Sequence, residues 1–334
     1  MKKIALHGFG RIGRQFLRIG LSRGLFVPVS ISDIKDEATL AALFAVDTNY
    51  GRWGEPVAGK DGGFSIGGRD IPYFNAAKEL PDWGKLGVDL VVDCTGRATV
   101  RAGAQAHLDR GAKYVLVSAP SKTLSDCDAV LLKGINLETF QPQSQHIISM
   151  GSCTTNALAA PIKVILENFG IRYGLFSTVH SYTNSQSLTD QPMKDIRDSW
   201  AAAENIIPSS SGAAKALQFI WKDLKVTGKA YRVPTRTGSI AELNLITEKD
   251  CSVQEVNDAF RKAAAEGPLK GVMDVLEGQW ASSRIVADPH SSLIDLPLTV
   301  KEGGLLSVAS WYDNEWGFSN RLAEVAAELA QRMD

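Results

Sequence analysis

The chain has 334 residues, more than one hydrophobic core usually serves, so two domains are expected. It is 44% hydrophobic and 22% charged, with a net charge of −1 and Lys and Arg spread along its length. Those values fit an ordinary soluble globular protein and argue against nucleic-acid or membrane-surface binding as the main task. No apolar run is long enough to span a bilayer. Met1-Lys2-Lys3 leads straight into a strand pattern and does not read as a secretion signal.

Residues 3–7 form a short apolar run, followed by Gly8-Phe9-Gly10-Arg11-Ile12-Gly13 and then by Phe16, Leu17 and Ile19 at helical spacing. Strand, GxGxxG, helix is the arrangement that brings a backbone close to a pyrophosphate at a helix N-terminus. The same glycines would also serve a βαβ turn with no ligand. A second run, residues 27–31, ends at Ser32-Asp33. Asp33 lies 20 residues past Gly13 (33 − 13), where a carboxylate bonds ribose hydroxyls and repels a 2′-phosphate, which favours NAD over NADP. Residues 47–69 are glycine-rich and predict loops and small hairpins. Strands are predicted at 88–93, 113–117 and 146–149, with a helix at 100–110. Alternation of this kind predicts a parallel sheet in an α/β fold. Thr95-Gly96 and Ser118 stand at strand ends, where such sheets bind ligands, although ordinary loops look the same.

Ser152-Cys153-Thr154-Thr155-Asn156 then opens an apolar, helical stretch over 157–169. A thiol in the first turn of a helix feels the positive dipole end and unpaired N–H groups, both of which favour the nucleophilic thiolate. An inert buried cysteine is the alternative. The four cysteines, Cys94, Cys127, Cys153 and Cys251, lack metal-ligand or disulfide spacing. The expectation is therefore no metal and a reducing, cytoplasmic setting. Residues 174–180 read as a strand ending at His180, a candidate base for the thiol if the fold brings them together. Residues 181–197 read as a long loop. The serines before Gly212 are a helix cap or an oxyanion site. Strands are predicted at 229–234, 239–247, 283–287 and 305–312, mostly antiparallel, and helices at 213–221, 253–265 and 322–333. The last of these carries Leu322, Val325, Ala326 and Leu329 on one face, so it must pack against something.

Taken together, seven short motifs resemble the phosphorylating glyceraldehyde-3-phosphate dehydrogenase family over essentially the whole chain. They are GFGRIGR at 8–14, SAPSK at 118–122, SCTTN at 152–156, TVHSYT at 178–183, NIIP at 205–208, RVPT at 232–235 and WYDNE at 311–315. The resemblance implies a Rossmann-type NAD(P)-binding domain at 1–150 and 315–334, and an α+β catalytic domain with a largely antiparallel sheet at 151–314. It implies a homotetramer. It also implies Cys153 as nucleophile and His180 as base, passing through a hemithioacetal and a thioester that inorganic phosphate cleaves. Cofactor contacts would come from Gly8, Gly10, Arg11, Ile12, Gly13, Asp33, Thr95, Gly96 and Ser118, with Asn314 on the nicotinamide carboxamide. The substrate phosphate would fall to Thr183, Ser185 and Arg232, and the attacking phosphate to Ser152, Thr154, Ser211 and Gly212, with Arg197 beside them.

The sequence departs from the family pattern at several positions. Ala157 replaces a second cysteine and Phe318 a common tyrosine. Arg236 adds a cation, and Trp200 stands where an arginine is common. Residues 75–79 lack an arginine that packs on adenine. Pro192 matches NAD-using members. The alternatives are erythrose-4-phosphate dehydrogenase on the same scaffold, a non-catalytic nucleotide-binding relative, and, more distantly, aspartate-semialdehyde dehydrogenase.

Overall fold

A computed structural model describes residues 2–333. The chain divides into two compact units. One holds the residues up to Leu132, Asn136–Gly151 and the chain from Ser319 onward; the other holds Lys133–Ile135 and Ser152–Phe318. Among the described residues no helix is long and apolar enough to cross a membrane.

In the first unit the elements are β1 (Ile4–His7), α1 (Arg11–Ser22), β2 (Ser30–Asp33), α2 (Glu37–Ala45), β3 (Val46–Asp47), β4 (Gly51–Arg52), β5 (Val57–Lys60), β6 (Gly63–Ile66), β7 (Arg69–Asn75), α3 (Trp83–Leu86), β8 (Leu90–Asp93), α4 (Arg101–Asp109), β9 (Tyr114–Val117), β10 (Ala129–Val130) and β11 (Ile147–Ser149). One sheet runs β10-β11-β9-β8-β1-β2-β7-β6-β5. Neighbours from β10 to β7 are parallel, and the β7-β6-β5 meander is antiparallel. Strands β8, β9 and β11 are buried at every position, as a sheet covered on both faces requires. The strand order reverses direction about β1 and β8, so their carboxyl ends form the switch point where such sheets bind ligands.

The strand β7, the short helix α3 and the strand β10 were not expected, and two further differences have a plain local cause. Strand β2 starts at Ser30 rather than at 27, because Pro28 has no N–H to give the ladder. Helix α2 was not expected; it starts where Asp36 accepts from the Thr39 amide at 2.8 Å.

The β1–α1 turn is closed too tightly for side chains. Gly8 has φ +89°, and a Cβ there would sit 2.8 Å from the Cys94 carbonyl carbon and the Thr95 nitrogen. A Cβ on Gly13 would sit 2.1 Å from the Gly8 carbonyl oxygen. The C-terminal helix, Trp316–Arg332, buries Leu322, Val325, Ala326 and Leu329. Within this unit Arg332 donates to the Leu137 carbonyl at 3.0 Å, and Arg23 pairs with Glu324 at 2.6 Å.

In the second unit the elements are α5 (Cys153–Phe169), β12 (Tyr173–Ser181), β13 (Ile207–Ser210), α6 (Ala213–Ile220), β14 (Val226–Val233), β15 (Ser239–Ile246), α7 (Val253–Ala265), β16 (Met273–Leu276), β17 (Ser292–Asp295), β18 (Val300–Glu302) and β19 (Leu305–Tyr312). The sheet runs β13-β14-β12-β15-β19-β17-β16, with β18 beside β19. Two pairings are parallel, β12 with β14 and β16 with β17; the others are antiparallel. The predicted strand at 283–287 is instead a 3₁₀ turn, Ser282–Ile285. Ala287 has φ +67°, which no strand allows, and its amide donates to Asp313 at 2.9 Å. Helix α5 contains Pro161, which cannot donate to the Ala157 carbonyl. The Ser310 hydroxyl reaches that oxygen instead, at 3.5 Å.

Helix propensity alone would make Gly13→Ala stabilising by about 1 kcal/mol. The collision with the Gly8 carbonyl reverses the sign: we expect a net loss of about 1–3 kcal/mol, measured as a lower denaturant midpoint. An unchanged or raised midpoint would show that the turn is looser than described.

Candidate active site

Ser152 caps α5. Its hydroxyl accepts from the Thr155 amide at 3.1 Å, and the Thr155 hydroxyl accepts from the Ser152 amide at 3.0 Å. This is a reciprocal cap with threonine in the place usually taken by Glu or Gln. It satisfies the third amide of the helix and leaves those of Cys153 and Thr154 turned toward the sulfur, where they favour its charged form. Cys153 is therefore the first residue of the helix, four residues earlier than the apolar run alone indicated.

Strand β12 alternates sides. Phe176, Thr178 and His180 are buried, whereas Leu175 and Val179 lie on the opposite, exposed side. His180 Nε2 stands 3.4 Å from Cys153 Sγ. Parallel register sets His180 opposite Arg232 on β14, which in turn faces Ile207 on β13. An Arg232 guanidinium nitrogen is 2.6 Å from His180 Nδ1 and 3.3 Å from the Ser181 carbonyl, while Nδ1 is also 2.7 Å from that carbonyl. Arg232 Nε is buried with no acceptor among the described residues. Sequence reasoning had no signal for this orphan donor.

Electrostatics at the pair differ from the sequence expectation. Burial pushes the Cys153 thiol up; Arg232, the Thr154 side chain and the helix amides pull it down without overcoming burial. Burial, and then Arg232, push His180 down to about 3. Each group taken alone is therefore neutral at pH 7, and His180 is free to accept a proton.

The other predicted residues fall into separate groups. The Thr154 hydroxyl meets Tyr312 at 3.0 Å, and Tyr312 also meets Thr178 at 2.8 Å. The hydroxyls of Thr183 and Ser185 are 2.9 Å apart. Gln186, which sequence reasoning missed, accepts from the Thr183 amide and donates to Ser185 and Asp198. Ser211 accepts from the Ala213 amide at 3.3 Å, and Gly212 heads α6 with no side-chain cap. Register places Ser210 opposite Lys229, three residues and about 10 Å along the strand from Arg232. Arg197 lies in an exposed 3₁₀ turn whose amide bonds Asp195. Asn314 Oδ1 accepts from Ser181, Ser239 and Gly238 at 2.8, 3.0 and 3.2 Å. Three donors on one oxygen identify it as the carbonyl and turn Nδ2 away as a donor.

In the first unit a cavity of about 340 Å³ lies at the switch point, lined by Gly8, Gly10, Asp33, Thr95 and their neighbours. A Cβ on Gly10 would meet nothing within 4 Å, so Gly10 faces open space while Gly8 and Gly13 are confined by the protein itself. Gly10 heads α1 with no side-chain cap, which leaves the first-turn amides of Ile12 and Gly13 for an anion. The Arg11 guanidinium is committed to buried Asp47 at 2.7 Å. Asp33 holds the amides of Phe9, Ile34 and Lys35 at 2.6, 2.7 and 3.2 Å. The Gly96 backbone is left-handed, and the Ser118 amide bonds the Asp93 carbonyl at 3.0 Å. An open glycine cradle, uncapped helix amides and a carboxylate one strand away fit a dinucleotide.

Comparison with known proteins gives the same reading from an independent direction. The family description "Glyceraldehyde 3-phosphate dehydrogenase, NAD binding domain" matches residues 2–101, and "Glyceraldehyde 3-phosphate dehydrogenase, C-terminal domain" matches residues 152–314. A glyceraldehyde-3-phosphate dehydrogenase of Kitasatospora aureofaciens is 46% identical over 338 residues, covering 99% of this chain and 100% of the relative. Those of Streptomyces coelicolor and Geobacillus stearothermophilus are each 42% identical, over 99% of this chain and 99% and 98% of the relatives. The chain belongs to the glyceraldehyde-3-phosphate dehydrogenase family.

Proposed function

We propose that the protein is an NAD-dependent, phosphorylating aldehyde dehydrogenase of glycolysis and gluconeogenesis. It converts D-glyceraldehyde 3-phosphate, NAD and inorganic phosphate reversibly to 1,3-bisphosphoglycerate and NADH. The observation that carries this reading is the 3.4 Å contact of Cys153 Sγ with His180 Nε2 at a capped helix start. As the thiol proton passes to His180, the sulfur attacks the aldehyde carbon, and His180 then returns that proton to the new alkoxide to give the hemithioacetal. The amide of Cys153 steadies the developing oxyanion. His180 then takes the hydroxyl proton as the hemithioacetal becomes a thioester. When bound, NAD supplies the acceptor for the hydride this oxidation releases. Phosphate attacks the thioester carbonyl, the C–S bond breaks, and an acyl phosphate leaves as His180 returns its proton to the sulfur.

His180 Nδ1 faces a carbonyl and a guanidinium at once, and only one of them can be satisfied. An anion that draws Arg232 toward itself frees Nδ1–H for the Ser181 carbonyl and leaves the Nε2 lone pair facing the thiol. Substrate phosphate on Arg232, Thr183 and Ser185 would thus prepare the base as it binds. The orphan Arg232 Nε supports that role. Ser152, Thr154, Ser211, Gly212 and Arg197 are assigned to the attacking phosphate, and Gly8, Gly10, Arg11, Ile12, Gly13, Asp33, Thr95, Gly96, Ser118 and Asn314 to NAD. The domains are read as 1–150 with 315–334, and 151–314. We read the protein as a cytoplasmic homotetramer. The exposed apolar side chains of Leu175 (60% exposed), Val179, Ile206 and Leu188 (82% exposed) support that reading.

Three measurements test this. NADH formation from glyceraldehyde 3-phosphate should require inorganic phosphate, exceed that from erythrose 4-phosphate, and vanish in Cys153→Ser. Equal turnover without phosphate would sink the phosphorylating assignment. His180→Gln should lower kcat by about 10²–10⁴-fold. It should also move alkylation of Cys153 to higher pH, since the proton acceptor is gone; an unmoved alkylation profile would remove His180 as base. Leu175→Glu should reduce the sedimenting mass below that of the parent, and an unchanged mass would place the subunit contacts elsewhere.

A further inference from the structure

Along the wall of the dinucleotide cavity runs a buried chain of polar groups that the reaction does not use. Trp83, His107 and Asp93 are 0%, 2% and 3% exposed. Trp83 Nε1 donates to His107 Nδ1 at 3.1 Å, and His107 Nε2 is 3.2 Å from Asp93 Oδ2. Asp93 Oδ1 accepts from the amide and the hydroxyl of Thr95, at 2.8 and 2.7 Å, and Thr95 Oγ1 accepts from the Arg97 amide at 3.1 Å.

The direction of this chain is determined. An indole nitrogen only donates, so His107 Nδ1 must accept and the ring proton must sit on Nε2, pointing at Asp93. Burial alone would raise the Asp93 carboxyl, but the hydrogen bonds from His107 and Thr95, together with the neighbouring His7 and His107 rings, hold it below the usual carboxylate range. His7 completes a cluster of possible metal ligands with Asp93 and His107. However, both ring nitrogens of His107 are already committed, so it has no lone pair for a cation. His7 Nδ1 is itself engaged with Ser32 Oγ at 2.7 Å.

Thr95 marks the far end of the chain. Its backbone nitrogen is one of the atoms that confine Gly8, and Thr95 lines the cavity with Gly8, Gly10 and Asp33. We propose that Trp83, His107 and Asp93 form a one-way positioning relay that sets the Thr95–Arg97 loop for NAD binding. Asp93 and His107 also line the cavity, so the relay meets the cofactor site along its wall as well as at Thr95, and it touches no reacting atom. The proposal rests on the NAD reading above.

Asp93→Asn tests the direction. Asparagine presents one acceptor and one donor where aspartate presents two acceptors. If its oxygen serves Thr95, its NH₂ meets the His107 Nε2–H. If His107 changes tautomer to avoid this, its Nδ1–H meets the Trp83 N–H. Every arrangement leaves one donor facing another. Trp83→Phe removes the indole N–H and lets the tautomer change.

By calorimetric titration of the intact protein, Asp93→Asn should bind NAD about tenfold more weakly. Its kcat at saturating NAD, and its KM for the aldehyde, should stay within about twofold. Trp83→Phe/Asp93→Asn should regain at least about threefold of the lost affinity, although Phe leaves more empty core than Trp. A role in stability alone predicts the reverse order, so a double variant weaker than Asp93→Asn would overturn the relay. So would Asp93→Asn binding NAD as the parent does. If Asp93→Asn does not fold, Thr95→Val keeps the side-chain shape and removes the hydroxyl link, and it should weaken NAD about threefold; parent-like affinity would again overturn the relay. Hydrogen exchange without ligand separates the two claims. Faster exchange at the amides of Thr95 and Arg97 in Asp93→Asn supports the relay, and unchanged exchange overturns it. A parent protein that binds no NAD sinks the functional reading instead.

Discussion

The second unit's chemistry depends on how Ser152 closes the start of α5. A serine that caps the third amide and is capped in return fixes the first turn without covering it. The amides of Cys153 and Thr154 then remain for charge on the sulfur or on a bound oxygen. A looser helix start would let them turn to water. Because β12 alternates sides, the residue that meets this turn is His180, and because β12 and β14 pair in parallel, Arg232 arrives beside it. One cap and one register therefore assemble a thiol, an imidazole and a cation from residues 27 and 52 positions apart.

The electrostatics of that assembly are a balance between opposing effects. Burial holds thiol and imidazole neutral, while the helix end and Arg232 favour the thiolate. A site of this kind stays quiet until a ligand changes the balance.

The sequence was most legible where structure is local. The GxGxxG turn, Asp33 at the end of the next strand and the thiol at a helix start all depend on neighbours a few residues away. The long-range pairs were not legible. Nothing near His180 announces Arg232, and nothing near Asn314 announces the hydroxyls of Ser181 and Ser239, because strand register brings them together. The 283–287 segment misled for the opposite reason. Its apolar residues suit a strand, but a tertiary bond from Ala287 to Asp313 bends the backbone out of strand geometry. Cys153 shows a third kind of limit: the helix-end effect was readable, whereas the burial that opposes it was not.

Asp33 makes cofactor choice hard to change by a single substitution. Its carboxylate anchors the amides of Phe9, Ile34 and Lys35, so the charge that disfavours a 2′-phosphate also holds the turn that receives the pyrophosphate. A variant that removed the charge to admit the phosphorylated cofactor would lose at least one of the two oxygens that share those amides and loosen the turn both cofactors need. Drift toward the other cofactor would have to pass through a protein that binds neither well, unless a second residue first took over the amides.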